Sequence, residues 1–238
     1  MTDLLYAIIP AYNESDNVVA LVAEWAPVIQ ATGPDARLVV IDDGSSDNTF
    51  ELLEGLRADY GGTLVALTKP NSGHGATLLY GYHYALEHGA DYVFQTDSDR
   101  QTSPQEFGAF WDARQTADAA IGQRTARQDG LSRLVVTRVL RLVTQLVFRV
   151  KVPDSNCPFR LVNAASLASA LATIPPDHNL ANVLLSVRLI QQERQVLWLP
   201  ISFRPRQGGV NSINLRRITG IGRRAVRDFW GLRHLRSS

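Results

Sequence analysis

Cysteine is almost absent: Cys157 is alone among 238 residues, which excludes a disulfide framework and a multi-thiolate zinc site. No apolar run approaches the roughly 18–20 residues that a membrane span needs. The first residues, MTDLLYAIIPAYNES, lack the basic stretch of a signal peptide and carry Asp3 instead, so the chain reads as soluble and cytoplasmic. Excess charge of either sign is missing as well. With 24 Lys+Arg against 23 Asp+Glu the net charge is +1, which argues against a protein built wholly for nucleic acid. Internal repeats and low-complexity stretches are also lacking. What remains is apolar material, 45% against 20% charged, enough for a sizeable core. The length is about one and a half average domains, so one compact domain with an appendage is expected.

The balanced charge is unevenly placed. Residues 215–238 hold seven arginines and one acid, Asp228, a net +6, so residues 1–214 carry −5 of the chain's net +1. A basic tail thus follows an acidic body. Ile218, Ile221, Ala225, Phe229 and Leu232 recur at helical spacing there with arginines between them. An amphipathic helix on an anionic membrane surface and a solvated tail are both open readings. Residues 131–150 form a second unusual stretch, apolar on most faces but carrying Arg133, Arg138, Arg141 and Arg149. A helix lying in the membrane interface is expected, with a surface helix packed on the body as the alternative.

Short apolar runs alternate with longer helical patterns in the first half, which predicts an α/β sheet with parallel strands. The strands are expected at Leu5–Ile9, Arg37–Ile41, Thr63–Leu67, Tyr92–Gln95 and Ala119–Gly122. The helices are expected at Asn17–Gln30, Asn48–Tyr60, Gly75–His88 and Pro104–Gln115, with Asp47 as a helix N-cap. In such sheets ligands bind beyond the carboxyl ends of the strands. The polar clusters Pro10–Glu14, Asp42–Ser45 and Asp97–Gln101 fall there.

Each cluster suits a different chemistry. Asp97 and Asp99, with the Gln101 amide oxygen, can converge from one turn on a hard cation such as Mg²⁺ or Mn²⁺, completed by substrate phosphates. Asp42 and Asp43 are adjacent acids followed by Gly44. Ionised carboxylates only accept hydrogen bonds, so they suit ribose hydroxyls or a base N–H and not phosphate oxygens. Glu14 is a second candidate ribose acceptor, and Tyr12 offers a face or hydroxyl to the base. Asn71-Ser-Gly-His-Gly75 lacks the third glycine of a dinucleotide loop and does not follow the first strand, which disfavours an oxidoreductase. His74 reads as a loop residue, the tyrosines 80, 82 and 84 as helix packing, and Cys157 as a buried thiol.

Taken in order, Pro10-Ala-Tyr-Asn-Glu14, Asp42-Asp-Gly-Ser-Ser-Asp47, Asn71-Ser-Gly-His-Gly75 and Asp97-Ser-Asp-Arg-Gln101 resemble the inverting family 2 glycosyltransferases. The likeness is nearest to the polyprenyl-phosphate branch typified by dolichol-phosphate mannose synthase. It extends over Gly122-Gln-Arg124, Asp154-Ser-Asn-Cys-Pro-Phe-Arg160 and Arg206-Gln-Gly-Gly209, and so spans about residues 5–214. The resemblance implies a GT-A fold, an α/β nucleotide-sugar-binding sheet, as a catalytic domain over 1–214 with the tail at 215–238. It further implies a base and ribose pocket at Pro10, Tyr12, Glu14 and Asp42 or Asp43. Asp97, Ser98 and Asp99 would complete the nucleotide-sugar site, with Asp97, Asp99 and Gln101 as ligands of Mg²⁺ or Mn²⁺. Arg124 and Arg206 would face the donor diphosphate or the acceptor phosphate, since guanidinium forks match phosphate oxygens. Pro158 stands where the family pattern has glycine, and Ser212-Ile-Asn214 replaces its Ser-Lys pair.

The reaction implied is metal-dependent transfer of a sugar from a UDP- or GDP-linked donor to a polyprenyl phosphate at the inner face of the membrane. A hydroxyl acceptor is the alternative, and would require a general base. Asp154 is the first candidate for that base and Asp177 the second. The Glu-Asp pair that supplies it in polysaccharide-synthase relatives is missing, which favours the phosphate acceptor. A nucleotidyltransferase would need a glycine-rich basic loop after the first strand, where this chain has Tyr12-Asn-Glu14. A non-enzymatic membrane- or nucleic-acid-binding module acting through its tail is the contrasting class. No nucleic acid partner is expected, and self-association is left open.

Overall fold

The computed structural model describes residues 3–124 and 142–204. Arg206 and its glycine turn, the basic tail and residues 131–141 of the expected interfacial helix lie outside the described residues.

Seven described strands form one sheet in the order β3-β2-β1-β4-β6-β5-β7. The first is β1 (Leu5–Ala11), buried along its whole length between α1 (Val18–Gln30) and α3 (His74–Glu87). Burial on both faces explains its continuous apolar run. It is flanked by β2 (Arg37–Asp42) and β4 (Tyr92–Gln95), both parallel to it. Beyond β2 lies β3 (Leu64–Thr68), an edge strand that is only half-buried, reached through α2 (Thr49–Tyr60). These strands and helices stand where the alternating pattern puts them.

The second half departs from an all-parallel sheet. After α4 (Phe107–Ala113) comes β5 (Ala119–Arg124), but β6 (Arg160–Asn163) inserts between β4 and β5 and runs antiparallel to both. Helices α5 (Ala164–Leu171) and α6 (Ala181–Gln191) follow, and β7 (Val196–Ile201) closes the edge parallel to β5. Six strands therefore point one way. Their carboxyl ends line one edge of the sheet, and the first residue of the reversed β6 meets them there, Arg160 opposite Gln95.

Two observations show how closely the layers meet. A Cβ on Gly81 of α3 would lie 2.4 Å from Ile8 Cγ2 and 2.7 Å from Ile41 Cδ1, so only glycine lets the helix approach the sheet. On the other face Trp25 of α1 is fully buried, its ring centroid 5.3 Å from Phe94 and 5.9 Å from Phe159. Phe159 belongs to the Asp154–Arg160 motif, so that motif is anchored in the core. Residues 142–148 are helical, with Thr144 and Phe148 buried while Leu142 and Leu146 are 58% and 69% exposed. Among the described residues no helix is long and apolar enough to cross a membrane.

Candidate active site

The loop after β2 is held by its own acids. Asp43 forms an ion pair with Lys69 Nζ and accepts the N–H groups of Ser72 at 3.0 Å and Gly73 at 2.9 Å. Burial pushes its carboxyl up, but the Lys69 ammonium and these N–H donors outweigh burial and hold it below the usual range. Asp42 accepts Ser45 N at 3.2 Å and Thr68 Oγ1 at 2.9 Å. Gly44 between this loop and the next has φ 67°, and a Cβ there would meet Asn71 N at 2.8 Å. The two acids read as nucleotide ligands thus also build the pocket: Asp43 ties the 69–73 turn to β2, and Asp42 closes the turn above it.

Asn13 joins the loop after β1 to this wall. Its φ is 53°, its N–H donates to Ser45 Oγ at 2.8 Å, and its Oδ1 accepts Ser46 N at 2.8 Å. Pro10 and Glu14 are buried, and Glu14 Oε2 accepts Asn17 Nδ2 at 2.6 Å. Tyr12, the candidate partner of a base, is 50% exposed. Asp47 accepts Thr49 N at 3.1 Å and Ser15 N at 3.2 Å. The N-cap of α2 is Asn48, not Asp47 as expected, and makes no side-chain cap bond. Asp47, one residue earlier, instead accepts the first helical N–H and ties in the β1 loop.

Beyond β4 the chain turns through Asp97, Ser98, Asp99 and Gln101. The turn is closed at its base by the Thr96 and Thr102 hydroxyls, 2.7 Å apart. Asp97 is partly exposed, and its Oδ1 takes no hydrogen bond among the described residues. Ser98 is buried beside it. Asp99 Oδ1 accepts the Gln101 N–H at 3.1 Å. Gln101 Nε2 donates to the Arg204 carbonyl at 2.8 Å, which fixes the amide and leaves Oε1 as its other polar atom. An acceptor without a hydrogen bond, a second carboxylate and an amide oxygen are a hard, all-oxygen donor set that fits Mg²⁺ or Mn²⁺. Among the described residues no three His, Cys, Asp or Glu side chains group closely enough to hold a metal by themselves. Such an ion would draw further oxygens from a bound ligand.

His74 is not a loop residue. It opens α3, with Nε2 3.6 Å from Asp97 Oδ1. Gly75 beside it is required because a Cβ there would fall 2.3 Å from the His178 carbonyl oxygen. The 175–180 connection therefore closes over the start of α3, with Asp177 exposed on it.

At the end of β5, the structure brings Arg124 and Asp154 together. Arg124 Nε and Nη2 donate to Asp154 Oδ2 and Oδ1 at 2.8 and 2.7 Å, and its guanidinium carbon lies 5.2 Å from the Phe203 ring centroid. Asp154 is buried, so the candidate base offers both oxygens to the candidate phosphate ligand. Cys157 is buried as expected, its thiol pushed up to about 12 by burial and by Asp154. Arg160 is fully buried too, donating to the Cys157 and Asn182 carbonyls at 3.1 and 3.0 Å. Lys69, His74 and Arg204 belong to the site although the sequence reading assigned them no role there. Lys69 could have been found, since it stands at the carboxyl end of β3.

The model of glycosyl transferase family 2 matches residues 6–168. The chain belongs to that family. It is 28% identical over 221 residues to polyprenol monophosphomannose synthase of Mycolicibacterium smegmatis, covering 90% of this chain and 82% of that protein. It is likewise 28% identical to the undecaprenyl-phosphate 4-deoxy-4-formamido-L-arabinose transferase of Pseudomonas fluorescens, over 69% of this chain and 48% of that longer protein. The fold is shared with glucosyl-3-phosphoglycerate synthase from Mycobacterium tuberculosis, crystallised with Mn²⁺, UDP and glucosyl-3-phosphoglycerate. The TM-score is 0.69 at 16% identity, covering 99% of this chain and 82% of that one. The solved structure fits the α/β GT-A reading, and the family makes this chain a glycosyltransferase.

Proposed function

We propose that this glycosyltransferase moves a sugar from a nucleoside-diphosphate sugar to a polyprenyl phosphate at the cytoplasmic membrane face. The observation that carries the reading is the oxygen cluster at Asp97, Asp99 and Gln101, set between the nucleotide-side loops and Arg124. Two relatives are named for transfer to polyprenol or undecaprenyl phosphate, and the solved neighbour holds Mn²⁺ with UDP. A divalent ion on these oxygens would neutralise charge on the departing diphosphate.

The protein's own groups carry the rest. Tyr12 stacks on the base, while Asp42 and Glu14 accept from the base or the ribose. An acceptor phosphate oxygen attacks the anomeric carbon as the bond to the donor's β-phosphate oxygen breaks, inverting that centre. The nucleoside diphosphate leaves with the bonding pair. The acceptor is already an anion near neutral pH, so Asp154 has no proton to remove and serves to orient Arg124 on phosphate oxygens. Arg206 is a second cation for the donor or acceptor phosphate oxygens. On the membrane side, Leu142 and Leu146 face outward from one helical turn, followed by exposed Arg149 and Lys151. Apolar side chains next to cations suit an anionic bilayer surface.

The test is to incubate the protein with Mn²⁺ or Mg²⁺, UDP- and GDP-sugars and a short polyprenyl phosphate, and to weigh the products. A glycosyl-phosphoprenol that vanishes with chelator is expected. Nucleoside diphosphate release without a lipid product would overturn the acceptor and point to a hydroxyl.

A further inference from the structure

Arg100 stands between Asp99 and Gln101, and its backbone is where a side-chain-bearing residue seldom goes. Its φ is 56°, in the left-handed region that glycine occupies without strain. The turn it makes is the one in which Asp99 Oδ1 accepts the Gln101 N–H. Its guanidinium forms an ion pair with Glu24 on α1, 76 positions away in sequence. The next residue on that helix, Trp25, is fully buried against Phe94, Phe107 and Phe159, so Glu24 is carried on a rigid base. Phe94 lies on β4, the strand that leads into Asp97.

We propose that Glu24 is a positioning residue for the metal loop: paired with Arg100, it holds the turn that carries Asp97, Asp99 and Gln101 with Arg100 in its left-handed conformation. The proposal rests on reading Asp97, Asp99 and Gln101 as metal ligands, and it adds a residue from outside the motif. Glu24 touches neither donor nor acceptor, and acts through Arg100. One consequence separates it from an ordinary surface salt bridge: loss of the pair loosens the backbone turn in which Asp99 Oδ1 accepts the Gln101 N–H.

Glu24→Gln keeps the shape and removes the charge. In metal-free protein, hydrogen exchange across 97–104 is expected to quicken about tenfold, the scale of a released left-handed residue. Mn²⁺ affinity in the presence of UDP, read by calorimetry, is expected to weaken about tenfold, as for other groups that orient metal ligands. Adding Arg100→Gly to Glu24→Gln should restore both, because glycine keeps the left-handed turn without the pair, whereas adding Arg100→Leu should restore neither. Wild-type exchange and affinity in Glu24→Gln would overturn the proposal, as would failure of glycine to rescue. Wild-type protein that binds no Mn²⁺ would remove the metal reading itself, and the exchange data would still decide the clamp.

Discussion

On the β1–β4 side of the sheet the polar residues at the carboxyl edge are cross-linked by short hydrogen bonds. Asp43 ties Lys69, Ser72 and Gly73, Asn13 ties Ser45 and Ser46, and Asp47 ties Ser15 and Thr49. On the β5–β7 side one bidentate pair, Arg124–Asp154, and one buried arginine, Arg160, do the corresponding work. Many small bonds make a rigid, preorganised wall, which suits recognition of one nucleotide. One bidentate charge pair holds a guanidinium beside the site, which suits an incoming phosphate. Between the halves lies the Asp97–Gln101 loop, the proposed metal site, fastened to one by Glu24 and to the other by Arg204.

The largest effect should come from that seam. Asp99→Asn is expected to lower transfer at least about a hundredfold by removing one charge from the metal's oxygens, with the thermal midpoint nearly unchanged; retained transfer would break the division into two sides. Arg124→Ala should be next, at about tenfold to a hundredfold in kcat with little change in nucleotide affinity, since one charge-assisted phosphate contact is lost. An equal loss in nucleotide binding would move Arg124 to the donor side. Asp154→Asn should cost less than Arg124→Ala with a phosphate acceptor, and collapse of kcat to the background rate would restore Asp154 as a base.

Smaller effects fall on stability. Gly122→Ala should destabilise by about 1–3 kcal/mol through overpacking, because its Cβ would lie 2.8 Å from Cys157 Sγ and 2.9 Å from Ile201 Cδ1. Lys69→Met should cost about 1.5–3 kcal/mol near neutral pH, the worth of a hydrogen bond to a charged group. The sign with pH follows from Asp43, whose carboxyl is held low in the folded state. Its stabilisation is present above the unfolded value near 3.8 and is lost as pH falls through the lower folded value. The gap between wild type and Lys69→Met, measured by denaturant titration, should therefore narrow below about pH 4. A gap that widens on acidification would contradict the Asp43 assignment.

The same contrast decides what could be seen in the sequence. The β1–β4 half obeys the alternation of apolar strands and amphipathic helices, so its elements and edge loops were legible. The reversed β6 was not. It has four residues and begins with a fully buried arginine, whose charge is met by backbone carbonyls rather than by a neighbouring acid. A reading by hydropathy cannot place such a residue in a core. At the candidate site, the placement of Asp97, Asp99 and Gln101 on one turn after a strand was legible. That Asp43 is tied to Lys69 was not, because the pair closes only when β3 docks on β2. The nearness of Arg124 to Asp154 likewise depends on β6 folding back beside β5.

We read the carboxyl edge of the sheet as a metal-dependent nucleotide-sugar site. Calorimetric titration with UDP and GDP, with and without Mn²⁺, for wild type and Asp99→Asn tests it most directly. The expected result is tight binding of one nucleotide that requires Mn²⁺ and is lost in Asp99→Asn. Binding that is indifferent to the metal and to Asp99 would contradict the claim.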